Sequence, residues 1–130
     1  MFTLDQVSRR YGQAIALDAV SLTFASGITT ALIGPSGAGK STVLRMLVGL
    51  EWPDSGTVAF DGTPLQRANL QAQRQRIGYV IQEGGLFPHL DARSNVILLA
   101  RTLGWTRERI DARLDLRYPH VFKAPASSAH

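Results

Sequence analysis

Cysteine is absent from the 130 residues, which excludes disulfide bonds, thiolate catalysis and metal sites held by cysteine. No apolar run approaches the ~18 residues that cross a bilayer as a helix, so any membrane role is expected to be peripheral. The first residues, MFTLDQVSRR, lack the basic start and apolar middle of a secretory signal, which favours the cytoplasm. The length and the 45% hydrophobic content are typical of one globular domain or part of one.

Lysine is scarce although the chain is basic, with a net charge of +4 and an isoelectric point near 10.1. Twelve of the fourteen basic residues are arginines, and the two lysines are Lys40 and Lys123. The arginines are spread among polar and acidic residues and form no block with interleaved aromatics, so we expect no nucleic acid as a partner. Phosphate-bearing small ligands remain as partners that a basic chain favours.

Apolar periodicity divides the chain into strands and helices. Alternating or continuous apolar runs predict five strands, which lie at 2–4, 20–24, 28–33, 57–60 and 77–82. The runs ITTALI (28–33) and IGYVIQ (77–82) are apolar on both faces, which is typical of buried parallel strands. Helical spacing predicts a helix at 43–48 that Gly49 closes, a second from 91–94 onwards and a third from Thr106 onwards. The run TVAF (57–60), followed by Asp61-Gly62 and TPL, predicts a hairpin with an Asp-Gly turn. Residues 66–76 are polar and predict a surface connection.

Residues 34–42 read GPSGAGKST and follow a predicted strand directly. Gly34, Gly39, Lys40 and Ser41 satisfy the pattern G-x-x-x-x-G-K-[ST], and a predicted helix comes next. A loop with little side-chain bulk turns its backbone N–H groups inward to form a concave anion site, and the helix points its positive end to the same place. The stretch therefore predicts a phosphate site. A glycine-rich turn without a ligand is the structural alternative.

The residue types in this loop suit a nucleoside triphosphate with Mg²⁺. Lys40 carries a compact ammonium, which we expect to reach the β- and γ-phosphates. Ser41 is expected to place its hydroxyl on Mg²⁺, and Thr42 to add a phosphate contact. The other predicted ATP-binding residues of the loop contribute mainly backbone groups; they are Pro35, Ser36, Gly37 and Ala38.

Three further segments accompany the loop. Tyr11 lies upstream in RRYGQAIALDAVSL, Gln82 ends GYVIQ, and LFPHLDARSNV follows. Together with the loop they resemble the nucleotide-binding subunits of ABC transporters over about residues 2 to 113. The resemblance implies an α/β fold, a P-loop NTPase of ABC type that is incomplete here: an N-terminal antiparallel β subdomain, a partial RecA-like core and the start of the helical subdomain. Residues 1–116 would form this partial domain, and residues 117–130 a disordered tail outside the family pattern.

The resemblance also implies roles for residues outside the loop. Tyr11 looks like the aromatic that stacks on adenine, while a half-buried turn tyrosine is the alternative. Gln82 looks like the residue that ligates Mg²⁺ or a nearby water and senses the γ-phosphate. The loop 83–90 resembles the surface that receives a transmembrane permease subunit.

ATP and Mg²⁺ are therefore the implied ligands, and a homodimer on the inner face of the cell membrane is the implied assembly of the full-length family. The stretch GYVIQEGGLFPHL is most similar to importers of glycine betaine and related quaternary amines. The transported solute itself is not chosen by this subunit.

Hydrolysis in this family uses an Asp-Glu pair after an apolar strand and the signature LSGGQ, and neither occurs in the 130 residues. The switch histidine is also missing, since His89 lies in LFPH and His120 lies outside the family pattern. Two functions therefore stay open. One is the ATP-binding subunit whose full-length form couples ATP hydrolysis to import of a small solute; the other is a non-catalytic remnant with weak or no turnover. A P-loop kinase or GTPase explains neither Tyr11 nor the segment after Gln82.

The segment RYPH at 117–120 resembles the residues that come just before the signature, yet VFKAPASSAH follows. One permitted back-translation of this tail, read in another frame, contains SAGQQR, which is similar to the family's SGGQQR. We therefore hypothesise a deletion and frameshift in a longer gene. The hypothesis fails if no other frame of the DNA encodes a signature and an Asp-Glu strand.

Overall fold

The structure is a computed structural model that describes residues 1–121. The chain divides into two compact units, Met1–Tyr79 and a second unit from Val80 onwards. The first unit contains four strands and two helices, and the described part of the second contains two helices. Within residues 1–121, no helix has the length and apolar character that a bilayer span requires.

A four-stranded antiparallel sheet organises the first unit, with the spatial order β2-β1-β3-β4. The strands are β1 (Phe2–Tyr11), β2 (Ala14–Phe24), β3 (Ser55–Phe60) and β4 (Thr63–Pro64). Asp61 and Gly62 connect β3 to β4 with φ angles of 47° and 78°, the two left-handed residues of a type I′ turn. The predicted N-terminal strands and the predicted Asp-Gly hairpin are confirmed.

Helix α1 (Lys40–Leu47) packs on this sheet and begins directly after the glycine loop. Its apolar face joins the core of the unit, which consists of Leu4, Val7, Leu17, Val43, Met46, Leu47, Val58, Phe60 and Leu65. The helix ends at Gly49, whose φ is 64°, and the Leu50 N–H donates to the carbonyl of Arg45 at 2.8 Å. This is a Schellman C-cap, in which glycine takes the left-handed position. The predicted end of the helix at Gly49 is confirmed.

Residues 66–76 form more than the predicted surface connection. They include the short helix α2 (Leu70–Arg74), and its last residue reaches the end of α1. The Arg74 guanidinium donates to the carbonyls of Val48 (2.9 Å) and Gly49 (3.0 Å). A cation there satisfies carbonyls that the helix leaves unpaired and opposes the negative end of the helix dipole. The polar composition of this segment hid that role.

The predicted buried strands at 28–33 and 77–82 are wrong for the described residues. Neither segment belongs to a strand, and Ile33 and Val80 are 93% and 94% exposed. Leu32 and Ile77 are partly buried and pack against the core. A strand needs a neighbour for its N–H and C=O groups, and residues 1–121 supply no pairing partner for either segment. The composition of these segments therefore indicated a preference for strand that the described part of the chain does not realise.

The second unit contains α3 (Ala92–Thr102) and α4 (Arg107–Arg117). Asp91 caps α3 by accepting from the Ser94 N–H at 2.6 Å, and Thr106 caps α4 by accepting from the Arg109 N–H at 3.3 Å. The core of this unit consists of Ile97, Ile110 and Leu114, flanked by Ala100 and Trp105. Both predicted helices are confirmed. Of the predicted tail, residues 122–130 lie outside the described part of the chain.

Candidate nucleotide-binding site

The glycine loop is shaped by two left-handed residues. Gly37 and Gly39 have φ angles of 83° and 84°, which side chains with a Cβ rarely adopt. Gly39 also packs closely against β2: a Cβ there would lie 2.6 Å from the carbonyl oxygen of Ala16 and 2.9 Å from Cδ2 of Leu17. Backbone conformation and lack of space thus both require glycine at position 39. The sheet and the loop are in direct contact at this point.

The N-terminus of α1 follows the glycine loop and leaves its backbone N–H groups unpaired within the helix. The first helical hydrogen bond runs from the Val43 N–H to the Gly39 carbonyl at 2.9 Å, so the three preceding helical N–H groups have no acceptor within the helix. The first turn contains no acidic residue, and Gly39 offers no side-chain cap. Nothing in the first turn of α1 therefore competes with an external anion for the positive end of the helix.

Lys40 folds back over the loop. Its ammonium donates to the carbonyls of Gly34 and Pro35, both at 2.6 Å. An ammonium has three N–H donors, and these two bonds fix its place while the third stays available for an acceptor at the loop. The loop itself is closed by a bond of 3.2 Å from the Ala38 N–H to the Pro35 carbonyl. The Lys40 side chain and the glycine loop are thus held together by hydrogen bonds.

Ser41 and Thr42 differ in access to solvent. Ser41 is exposed and, with Lys40, lines a cavity of about 560 Å³ whose other walls are mainly apolar. Thr42 is only 7% exposed. The Ser41 hydroxyl is thus the oxygen of the first helical turn that a cation could approach from solvent. No group of three or more histidine, cysteine or acidic side chains that could hold a metal occurs within residues 1–121.

That donor set fits Mg²⁺ as it is bound with nucleotides. Mg²⁺ retains several waters and takes one or two protein oxygens plus phosphate oxygens, so it needs no dedicated cluster of carboxylates. Ser41 follows Lys40 in the first turn of α1, at the end of the helix where phosphate oxygens would arrive.

Tyr11 lies at the same end of the sheet as the loop. It is the last residue of β1 and pairs with Ala14 on β2. Ala16, whose carbonyl lies against Gly39, follows two positions after Ala14. Two residues of extended chain span about 7 Å. Tyr11 as a residue remains 42% exposed. Its hydroxyl donates to Glu51, and the Arg9 guanidinium lies over the ring at 4.9 Å from its centroid. The hairpin thus carries an accessible aromatic close to the phosphate loop.

Gln82 belongs to the second unit and is exposed in a bend. After it, Gly84 and Gly85 have φ angles of 70° and 88°, and Leu86 and Phe87 expose apolar side chains. Asn95 of α3 anchors the loop: its carbonyl accepts from the Phe87 N–H at 2.7 Å, and its amide donates to the carbonyls of Phe87, Leu90 and Asp91. A single helical side chain thus fixes the shape of the end of this loop.

Charged groups around Tyr11 were not singled out by the sequence. Glu51 and Asp54 lie in the turn-forming stretch after α1, more than 40 positions from Arg9. The backbone N–H of Arg10, and then the guanidinium of Arg9, hold the pKa of the Asp54 carboxyl below its usual range. No sequence motif signals these contacts, because only the pairing of β1 with β3 brings the two segments together.

A glycine loop, the open N-terminus of a helix and a lysine held at the loop define a P-loop protein. The family model described as ABC transporter matches residues 17–127, and the chain therefore belongs to the ABC transporter family. The predicted family and fold class are confirmed.

Several import proteins are similar in sequence. The chain is 37% identical over 115 residues to the spermidine/putrescine import ATP-binding protein PotA of Pseudomonas aeruginosa, covering 88% of this chain and 31% of that protein. It is 38% identical over 115 residues to the glycine betaine uptake system ATP-binding protein YehX of Escherichia coli, covering 88% and 37%. The sulfate/thiosulfate import ATP-binding protein CysA of Mycobacterium tuberculosis is 41% identical over 108 residues, covering 83% and 30%.

Solved structures share the fold. The dimeric bacterial ABC transporter cassette MJ0796 has a TM-score of 0.75 at 31% identity, covering 87% of this chain and 53% of that one. The structure of cbiO1 from Clostridium perfringens, part of the ABC transporter complex cbiONQ, has a TM-score of 0.78 at 27% identity, covering 88% of this chain and 47% of that one. The chain thus spans about a third of the length of the curated relatives and about half of these solved chains.

Proposed function

We propose that this chain is the ATP-binding part of the ATP-binding subunit of an ABC importer. The observation that carries the proposal is the convergence of the α1 N-terminus, the glycine loop and the Lys40 ammonium, which is held at 2.6 Å from two loop carbonyls. The import proteins among its relatives support the type of transporter. The structure of MJ0796 bound to ADP and Pi, at a TM-score of 0.72 and 32% identity, supports a nucleotide as the ligand.

The loop would hold the phosphates through backbone and side chain together. Backbone N–H groups between Ser36 and Thr42 would surround the β-phosphate, apart from that of Ala38, which donates to the Pro35 carbonyl. The third N–H of Lys40 would meet the β- and γ-phosphate oxygens. Because Lys40 is already held by Gly34 and Pro35, little side-chain entropy is lost when the phosphate arrives. Thr42 is buried, so its phosphate contact is expected through the backbone N–H.

Mg²⁺ would be held by the Ser41 hydroxyl in the first turn of α1, with phosphate oxygens and waters as the remaining ligands. Bound there, the ion neutralises phosphate charge. The family resemblance alone supports Gln82 as a further ligand. Adenine would stack on Tyr11, since 42% of this residue is exposed on a hairpin that contacts the loop.

The loop 83–90 would receive the permease subunit. Leu86 and Phe87 are exposed there, and the backbone around Phe87 is fixed by Asn95. A rigid, partly apolar loop suits docking of a helix from a partner. The assembled protein would be a homodimer at the cytoplasmic face of the membrane, as the dimeric cassette MJ0796 supports. A quaternary amine is our proposed solute, supported by one relative, the glycine betaine uptake protein.

Nucleotide binding is tested by titrating the purified chain with ATP and Mg²⁺ in a calorimeter. Lys40→Ala removes a charge-assisted hydrogen bond worth about 1.5–3 kcal/mol, which is expected to weaken ATP binding roughly 10- to 150-fold. Lys123→Ala is the matched control, since it removes the only other lysine, and should leave the affinity unchanged. Equal affinity of both variants would contradict the proposed role of the loop.

Turnover is a separate question, because the 130 residues contain no Asp-Glu pair and no LSGGQ signature. That observation favours binding without hydrolysis by this chain alone, with import-coupled hydrolysis belonging to a full-length protein. Phosphate release is therefore expected to be the same in the wild type and in Lys40→Ala. Release that disappears in Lys40→Ala would instead make the chain itself an ATPase.

A further inference from the structure

A network of charges surrounds Tyr11, although the residue is 42% exposed to solvent. The Tyr11 hydroxyl donates to Oε2 of Glu51, and the Arg9 guanidinium lies over the ring at 4.9 Å. Arg9 and Tyr11 are two residues apart on β1, so their side chains leave the same face of the sheet. The ring is thus fixed at its polar end and on one face.

Arg9 is itself held from two sides. Its Nη1 donates to Oδ1 of Asp54 at 3.0 Å, and its Nε lies 3.5 Å from Oε2 of Glu51. Asp54 is anchored in turn, because its Oδ2 accepts from the Arg10 N–H at 2.8 Å and its own N–H donates to the Ser8 carbonyl at 2.9 Å. The carboxylates and the guanidinium therefore form a closed network whose geometry depends on the backbone.

Glu51 connects this network to the helix that follows the phosphate loop. Its side chain is 19% exposed, and Oε1 lies 3.8 Å from Nη1 of Arg45 in the last turn of α1. The Glu51 N–H also points to the Arg45 carbonyl at 3.4 Å. The Tyr11 ring is thereby linked to the same helix whose other end presents Lys40.

A tyrosine that served only packing would bury its ring, since burial of the apolar face is what stabilises the fold. Here the polar end is fixed while 42% of the residue stays exposed. Holding an exposed ring at a turn costs side-chain entropy in the free protein, so a flat ligand that stacks on the ring binds without that ordering cost.

We propose that Glu51 and Arg9 are positioning residues that hold the Tyr11 ring in place as a platform for the adenine base of the nucleotide. The proposal rests on the nucleotide binding proposed above. Base stacking on an aromatic raises affinity roughly 5- to 150-fold and tolerates any base, so the network contributes affinity for a nucleobase and not selectivity for adenine.

The test compares two ligands in the presence of Mg²⁺: ATP, which has a base, and inorganic tripolyphosphate, which has none. Tyr11→Ala is expected to weaken ATP binding roughly 5-fold or more, and Glu51→Ala and Arg9→Gln roughly 3- to 10-fold. All three should bind tripolyphosphate as the wild type does. Lys40→Ala should lose affinity for both ligands.

Tyr11→Phe supplies a second line of evidence, because it keeps the ring and removes the hydroxyl that Glu51 holds. The double variant Tyr11→Phe, Glu51→Ala should bind ATP no more weakly than Glu51→Ala alone, since one contact cannot be lost twice. Glu51→Gln, which keeps an acceptor oxygen, should bind ATP better than Glu51→Ala.

Distinct results overturn distinct claims. A wild-type chain that binds neither ligand overturns the proposed function and this inference with it. A wild type that binds ATP, with Glu51→Ala and Arg9→Gln either unchanged or equally weakened for ATP and tripolyphosphate, overturns only the positioning role, because a purely structural network would affect both ligands alike.

Discussion

Gly39 and Gly37 offer a matched comparison within the phosphate loop. Their φ angles are 84° and 83°, so replacement by alanine forces the same unfavourable backbone conformation at both positions. Their surroundings differ: an added Cβ at Gly39 would lie 2.6 Å from the Ala16 carbonyl oxygen, whereas at Gly37 no atom lies within 4 Å. The pair therefore separates backbone strain from a steric clash.

The expected losses in the free energy of unfolding follow from the backbone strain and the steric clash. A left-handed conformation costs a residue with a Cβ about 1–2 kcal/mol, and forcing atoms into an occupied space typically costs about 1–3 kcal/mol more. We expect Gly37→Ala to lower the free energy of unfolding by about 1–2 kcal/mol and Gly39→Ala by about 2–5 kcal/mol. At about 4 °C per kcal/mol, the melting temperature should fall by roughly 4–8 °C and 8–20 °C.

Urea denaturation followed by far-UV circular dichroism measures both values, and similar m-values for the three proteins would show that the exposed surface on unfolding is unchanged. The contact with Ala16 is a backbone carbonyl of β2, which cannot move aside as the end of a flexible side chain can. Equal destabilisation by the two substitutions would refute the close packing of the loop against β2. A stabilising Gly39→Ala would refute its left-handed backbone as well.

Two further predictions concern other parts of the chain. Asn95→Ala removes the acceptor for the Phe87 N–H and the amide group that donates to the carbonyls of Phe87, Leu90 and Asp91. Hydrogen exchange at the Phe87 amide should therefore accelerate roughly 10-fold, and Asn95→Asp, which keeps the acceptor, should have a smaller effect. Unchanged exchange would contradict the anchoring role. The pKa of Asp54 is lowered in the folded protein by the Arg10 N–H and the Arg9 guanidinium, so its stabilising contribution is present above its unfolded pKa of about 3.9 and is lost as the pH falls below that value. Unfolding measured between about pH 2 and pH 6 should therefore show a shallower acid decline for Asp54→Asn than for the wild type, and an identical decline would contradict the pairing.

Local signals predicted the shape of the glycine loop because that shape depends on neighbouring residues. The pattern from Gly34 to Ser41 specifies a loop, a lysine and a helix start within eight consecutive residues, and the structure places them together. The caps at Asp91 and Thr106 are also short-range features, and both helices begin where the sequence predicted. The turn at Asp61 and Gly62 is likewise determined by two adjacent residues.

Features that depend on distant partners were missed or misassigned. The contacts of Tyr11 with Glu51 and of Arg74 with Val48 join residues 40 and 26 positions apart, and no spacing rule indicates them. Residues 28–33 and 77–82 show the opposite error, since a strand was predicted from composition where the described chain offers no pairing partner. The sequence thus indicated which secondary structure each segment prefers, whereas strand pairing depends on the segments that lie beside it.

The contacts of α1 explain why the phosphate loop has its shape before any ligand binds. At the N-terminal end, Gly39 is pressed against the Ala16 carbonyl of β2, and Lys40 is tied to the loop. At the C-terminal end, the Schellman cap satisfies one set of carbonyls, and Arg74 donates to those of Val48 and Gly49. A cation at that end interacts favourably with the helix dipole, which stabilises α1. Because both ends of the helix are fixed, binding a phosphate there requires little reorganisation of the chain, and affinity should depend chiefly on the charge of Lys40 and on the helix N–H groups.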